Sequence, residues 1–593
     1  MISMFKHLWN HLPKLRKIQF ILFLALTIVG SFLEVVSLGA IIPFLAALSN
    51  PDKMLTYPLV SDVLINFNIL KPDQIMLTLT LFFAAAALAA GLIRLLIMYL
   101  SPKLAFMTSH DLGVKVYRLF LNQPYEKHLE KTSSEIIAGV TAKTYTVSGA
   151  LQAGIGFINS FTLIVFISTA LVFLDPKVAM ISALGIGIVY LTVTFIVRKQ
   201  LSNNSENVGK GQTETIRAIQ EGLGNIRDII LDSSQQFYCN IYNSSDKKLR
   251  AAQASNMFIQ GSPKYIVESL GMIVIAGVAY SLSDSDSGLM NSLPLLGALA
   301  LGAQRLLPAL QQVYGTWSLI SGFKKPLLDV LELLDQPDIH IENSSNSFPI
   351  FNEGLVEFKD VSFCYASNQR QVLFDVNFSF PKGSKVAFVG TTGSGKSTII
   401  DLIMGLLNPS KGKILIDKEV LNSSNCSLWQ KKIAHVPQKI HLMDSTIAEN
   451  IVLGSSLGDI DQNLLKIVTK QAQLYDFIIN SPDGFNTRVG ENGKSLSGGQ
   501  IQRIGIARAL YKQASILVLD EATNALDGVT ENNMMNAITE MNKDITIILV
   551  THRLSTVKDC DIIFELDSGK LVSKGTYNEL INSSDIFKKM VEV

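Results

Sequence analysis

The stretch VAFVGTTGSGKSTIIDLIMG, Val386 to Gly405, runs from an apolar strand pattern through a glycine-rich turn into a helix with apolar residues at helical spacing. That order is what a phosphate-binding loop requires, because the turn lets successive N–H groups close on an anion at a helix N-terminus. Gly390, Gly393 and Gly395 shape the turn, and Thr391, Thr392, Ser394 and Thr398 complete the candidate binding set. Lys396 offers a point charge to the outer phosphates of a nucleotide, and Ser397 offers a hydroxyl to Mg²⁺. Outward from this stretch, strand and helix patterns alternate from about Glu353 to Val593, as in an α/β domain built on a parallel sheet.

Downstream, ASILVLDEAT is an apolar strand ending in two carboxylates. Asp520 suits Mg²⁺, directly or through water, and Glu521 is placed to take a proton from an attacking water. Alone, such a strand end is equally a plain strand-to-loop transition. The phosphate loop upstream favours the first reading.

Between these two stretches lies KSLSGGQIQRIGIARAL, and here the chain resembles the ATP-binding cassette (ABC) transporters. LSGGQ matches their signature motif, which brings in Ser497, Gly498, Gly499 and Gln500 as nucleotide contacts. By the same resemblance Tyr365 in VSFCYAS corresponds to the aromatic that stacks on adenine, and Gln438 in HVPQ to the Q-loop glutamine, a further Mg²⁺ ligand. His552 in VTHR corresponds to the switch histidine. The expected catalytic set is then Glu521, His552 and Gln438, with Ser397, Gln438 and Asp520 on the metal. TRVGENG is similar to the exporter X-loop, and NALD to the D-loop, although Asn524 stands where exporters usually have Ser. In the family each ATP is sandwiched between the phosphate loop of one cassette and the signature loop of another. With one of each, this chain is expected to act as a homodimer or beside a related half-transporter, with ATP and Mg²⁺ as cofactors.

The remainder of the chain has another texture. Only 17% of the 593 residues are charged, against about 25% in soluble domains. The net charge of +1 gives no sign of a nucleic-acid partner. Cys239, Cys364, Cys426 and Cys560 lie far apart, without metal or redox spacing, and read as reduced cytosolic thiols. Apolar runs long enough to cross a bilayer fall near Ile18–Leu48, Ile75–Leu100, Gly149–Leu174, Lys177–Val197, Tyr265–Leu282 and Leu289–Leu310. The basic start, Lys6 to Lys17, leads into an apolar run too long for a signal peptide, so it reads as a retained first helix. Lys and Arg crowd the connections Ser101–Ser148 and Arg198–Ser262, which places these, and both termini, in the cytoplasm. Their helical periodicity extends the membrane helices well beyond the bilayer. The expected architecture is a six-helix membrane exporter domain over residues 1–335, a polar linker over 336–352, and an α/β P-loop nucleotide-binding domain over 353–593. LNQPYEKHLE and EGLGNIRDIIL resemble the coupling segments that press on the cassettes in exporters.

Three intramembrane charges bear on what is moved. Counted at about 1.5 Å per residue, Arg94 and Arg305 fall in the inner part of the bilayer and Glu34 near the outer side, over about ten ångströms apart. A simple Glu–Arg pair is therefore not expected. With Lys264 at a comparable inner depth, Arg94 and Arg305 form a candidate positive ring for an anionic headgroup, phosphate above all. Pro308 lets the helix bend beside Arg305. The bland alternative is a snorkelling or structural arginine. SFLEVVSLGAIIPFLAAL and AQRLLPAL further resemble the PglK-type flippases of lipid-linked oligosaccharides, which implies arginines that engage a lipid pyrophosphate. The expected function is ATP-driven flipping or export of an anionic lipid or lipid-linked oligosaccharide across the bacterial inner membrane. Export of peptides or hydrophobic compounds is the alternative, and an ATP-gated channel or regulatory subunit is a third reading.

Overall fold

A computed structural model of the chain describes residues 2–49, 72–174, 176–283, 307–337, 354–365, 371–454, 460–522, 528–541, 544–551 and 554–592. The chain divides into two compact units. One comprises Met1–Gln123 and Lys131–Ile339, and the other Pro124–Glu130 and His340–Val593.

The first unit is helical. α1 (Ile2–His11) precedes α2 (Lys14–Ser49), α3 (Pro72–Leu121), α5 (Ser133–Ala138), α6 (Thr144–Leu174), α7 (Pro176–Gly224), α8 (Ile226–Leu231) and α9 (Gln235–Ser283). A helix over 307–322, α10, and α11 (Lys324–Leu334) follow. The short α4 (Tyr125–Glu130) belongs to the second unit. Long apolar runs leave α2, α3 and α6 no polar stripe, and three spans among the described residues are long and apolar enough to cross a membrane: Lys14–Ser37, Gln74–Leu121 and Ser133–Thr169. Five of the expected spans lie on α2, α3, α6, α7 and α9, while the sixth, Leu289–Leu310, falls outside the described residues up to residue 306. At 50, 49 and 49 residues, α3, α7 and α9 each reach about 75 Å, more than twice the bilayer core.

Polar seams join these helices where small residues let them approach. Gly30 on α2 lies against Ile93 and Ile97 on α3, where an added Cβ would meet side-chain carbons at 3.0 and 2.9 Å. Asn204 on α7 donates to Asn256 Oδ1 on α9 (2.8 Å), and Asn256 in turn donates to the Gly322 carbonyl. Pro263, inside α9, cannot donate to the Ile259 carbonyl one turn earlier. The buried Tyr314 hydroxyl on α10 donates to that carbonyl instead, at 3.2 Å.

The second unit carries two sheets. β1 (Val356–Cys364), β2 (Gln371–Phe380), β4 (Lys411–Ile416) and β5 (Glu419–Val420) form an antiparallel sheet in the order β2-β1-β4-β5. β3 (Lys385–Gly390), β6 (Ile433–Val436), β7 (Ile516–Asp520), β8 (Thr546–Val550), β9 (Ile562–Asp567) and β10 (Lys570–Gly575) form a second in the order β10-β9-β3-β8-β7-β6. It is parallel apart from the β10 edge. KVAFVG, ILVLD and TIILV are continuous apolar runs because both faces of this sheet are covered. On β3, Ala387 and Val389 enter one core cluster while Val386 and Phe388 enter the other, with Phe378 and Phe564. Cys239, Cys364, Cys426 and Cys560 are free thiols.

Candidate functional site

The parallel strands β3 and β7 deliver the chemistry to the same edge of the sheet, β8 lying between them. At the end of β3 the backbone turns at Gly390 (φ 152°), where a Cβ would stand 2.2 Å from the Leu566 carbonyl oxygen. Gly395, in left-handed conformation at φ 101°, opens α12 (Lys396–Ile403). Both positions require glycine. Within the loop, Lys396 Nζ donates to the Gly390 and Thr391 carbonyls, each at 2.9 Å. Burial lowers the Lys396 pKa, while the Glu521 and Asp520 carboxylates oppose the shift. Ser394 is buried, and among the described residues its hydroxyl has no hydrogen-bond partner. Ser397 and Thr398 stand in the first turn of α12, and Thr391, Thr392 and Gly393 complete the rim. Tyr365, just after β1, packs edge-on against Phe363 (4.8 Å), and its hydroxyl lies 3.2 Å from Thr398 Oγ1.

At the end of β7, Asp520 is raised by burial and then by Glu521, with Lys396 opposing. Glu521 follows in a left-handed backbone conformation (φ 49°), its N–H donating to the Val550 carbonyl on β8 at 2.8 Å. Gln438, in the loop after β6, donates through Nε2 to Glu521 Oε2 at 2.7 Å. Asp520, Ser397 and Gln438 each offer an oxygen of the kind a hard cation takes.

The signature residues stand elsewhere in the unit. Ser497 caps α13 (Gly498–Tyr511) in a capping box with Gln500, Ser497 N–H donating to Gln500 Oε1 at 2.8 Å. Among the described residues no hydrogen bond joins Ser497, Gly498, Gly499 or Gln500 to the loop from Gly390 to Thr398. Asn524 and His552 lie outside the described residues.

Two side chains near this site were not read from the sequence. Asp401, on α12, is pushed up to about 6 by burial and then by the Asp520 charge. Tyr125, on α4, is raised by burial, then by Asp401 and Tyr365. Beside it, Glu126 accepts from the Asn408 backbone N–H at 3.2 Å, within the second unit. A lone carboxylate in the apolar run STIIDLIMG was the available signal.

In the membrane unit one expectation is overturned. Arg94 pairs with Glu34 across α2 and α3. The depth count failed because it measured each residue from an assumed span boundary. Helix contacts set the true register: Gly30 lies against Ile93 and Ile97, and Phe44 stacks on Phe83. Arg94 is thus about one turn from Glu34, within reach of its side chain. Lys264 also has a carboxylate nearby, Glu268 at 3.8 Å one turn along α9. Arg305 lies outside the described residues, and Pro308 sits in the first described turn of α10.

Comparison with known families matches residues 18–300 to the ABC transporter transmembrane region and residues 373–524 to the ABC transporter cassette. The chain is an ABC exporter half-transporter. Among curated relatives, the ATP-dependent lipid A-core flippase of Pseudomonas fluorescens (strain Pf0-1) is 29% identical over 92% of this exporter and 89% of the relative. Those of Paraburkholderia xenovorans (28%, 85% of each chain) and Vibrio cholerae (25%, 80% and 81%) bear the same name. A solved bacterial Atm1-family ABC exporter with ATP bound superposes with a TM-score of 0.78 at 23% identity, over 98% of this exporter and 99% of that chain. The exporter is therefore an ATP-binding, multi-pass inner-membrane protein and a transport ATPase.

Proposed function

We propose that this exporter works as a dimer, with both termini in the cytoplasm, and uses ATP to flip an anionic lipid or lipid-linked glycan across the bacterial inner membrane. The observation that carries the lipid class is the likeness to lipid A-core flippases along nine-tenths of the chain. The Arg94 guanidinium agrees with it: its side chain is 45% exposed although Glu34 is almost wholly buried. A guanidinium has five donors and one carboxylate cannot occupy them all, so a phosphate can share it. Arg94, Lys264 and Arg305 remain the candidates for that headgroup.

In the cassette, Tyr365 takes the adenine, and the backbone N–H groups from Gly390 to Thr398 take the phosphates. Lys396 exchanges its hold on the Gly390 and Thr391 carbonyls for the outer phosphates. Ser397, Asp520 and Gln438 hold Mg²⁺, which supplies charge neutralisation at the phosphates. Glu521, oriented by Gln438, accepts the proton of the attacking water, and His552 acts on the transferred group as the switch histidine that it resembles. Ser497, Gly498, Gly499 and Gln500 close the partner chain's site, the α13 N-terminus facing its phosphates.

The test is ATPase activity of the purified full chain in nanodiscs, titrated with lipid A-core, a polyprenyl pyrophosphate glycolipid, zwitterionic phospholipid, hydrophobic drugs and peptides. Stimulation by the anionic lipids is expected. Stimulation by drugs or peptides alone would replace this reading with the multidrug or peptide one.

A further inference from the structure

Outside the nucleotide and headgroup sites, one cluster in the helical unit has the composition of a transition-metal site. His7 and His11 are one turn apart on α1 and so project from the same face. Both meet Asp335, which follows α11 some 324 residues later: His7 Nε2 lies 2.7 Å and His11 Nε2 2.9 Å from the same oxygen, Oδ1. The imidazole centroids are 5.4 Å apart, and the three ligand-type atoms all lie within 4.8 Å of one another. The geometry points to a divalent-metal site made by His7, His11 and Asp335, of the type that takes Zn²⁺, and fastening α1 to the end of α11.

Three observations carry the assignment. Two imidazoles and a carboxylate are ligands that zinc and its neighbours accept, whereas Mg²⁺ and Ca²⁺ sites are built from oxygen alone. Ligands about 2.0–2.2 Å from one tetrahedral ion stand a little over about 3 Å apart, so on loading the two Nε2–Oδ1 separations open by about half an ångström and the two Nε2 atoms, now within 4.8 Å, settle at the same spacing. The site is also open: the His7 and Asp335 side chains are 42% and 46% exposed, which gives an entry path and leaves room for a water as fourth ligand.

One neighbour acts against the metal. Lys115 Nζ lies 3.5 Å from His11 Nδ1, on the ring edge opposite the ligand atom. A metal on Nε2 leaves the ring proton on Nδ1, so the ammonium must turn away on loading. Lys115 therefore weakens the site, and its removal tightens it.

The experiment uses the full chain purified on a tag without histidine, in detergent. Binding of Zn²⁺ alone is followed by competition with a chromophoric chelator and by hydrogen exchange of the α1 amides. The wild type is expected to bind one more Zn²⁺ per chain than His7→Gln, His11→Gln or Asp335→Asn, with at least about tenfold loss of affinity in each variant. Lys115→Ala should bind at least as tightly as the wild type, and Zn²⁺ should slow α1 exchange in the wild type and Lys115→Ala only. Asp335→Asn keeps an oxygen acceptor for the histidines, so it reports on the metal even if a histidine variant folds poorly. Equal Zn²⁺ binding by the wild type and Asp335→Asn, or binding that leaves α1 exchange unchanged, overturns the proposal.

Discussion

Glu521 stands in a left-handed backbone conformation directly after β7, held by its own N–H on Val550 and by Gln438 on its carboxylate. Such a conformation in a non-glycine residue persists only where the surroundings enforce it, and it aims the side chain out of the sheet edge. Glu521→Gln keeps this geometry and removes the base. ATPase turnover should fall at least about a hundredfold, about 2.7 kcal/mol in barrier, while ATP affinity is retained. Near-normal turnover in that variant takes the role from Glu521. Asp401 supplies a pH-dependent prediction at the same scale. Its pKa is pushed up to about 6 from an ordinary 3.8, so its favourable contribution is complete below about pH 4 and is lost as pH rises through about 6. Asp401→Asn should remove that loss. The variant should gain about 1–2 kcal/mol over the wild type at pH 7.5, after discounting for partial solvent screening, and little at pH 4.5. Thermal melts of the full chain at the two pH values check it; a gain equal at both refutes it. Lys396, Asp520 and Glu521 were read from local patterns whose spacing carries their chemistry, and Gln438 only from the resemblance of HVPQ to the family's Q-loop. The Glu521 conformation and the burial of Asp401 were not legible, since both depend on β8 and on side chains distant in sequence.

At the scale of elements, the long helices and the alternating α/β texture followed from apolar periodicity, but the pairing of helices did not. Glu34 and Arg94 meet because Gly30 admits α3 closely and sets the register of α2 against it, a contact that no count along one helix contains. The same dependence governs the α9 bend. Pro263 leaves the Ile259 carbonyl without its helical donor, and Tyr314 on α10 provides one. Tyr314→Phe should therefore destabilise the chain by about 1–3 kcal/mol, the cost of a buried acceptor left unpaired. In a Pro263→Ala background the restored N–H serves Ile259, and the same substitution should cost much less. A double-mutant cycle on thermal stability measures the coupling, and additive effects would remove the hydrogen bond from the account.

For the whole molecule, one chain supplies one phosphate loop and one signature turn, which no hydrogen bond joins among the described residues. Lys396→Ala and Ser497→Arg chains should each be inactive alone as ATPases. Mixed together they should regain part of the activity, because one composite site in each mixed dimer receives the sound element of each partner. Full activity of either variant alone contradicts the dimeric sandwich. The central claim, ATP-driven flipping of an anionic lipid, is tested most directly in proteoliposomes carrying a fluorescent pyrophosphate-linked glycolipid or a fluorescent lipid A-core analogue. The readout is the fraction of probe protected from a membrane-impermeant quencher. Wild-type exporter with ATP and Mg²⁺ should change that fraction well beyond the passive rate, and Glu521→Gln exporter should leave it at the passive rate. Equal movement with and without hydrolysis, or no movement of either anionic lipid by an exporter that still hydrolyses ATP, would contradict the account.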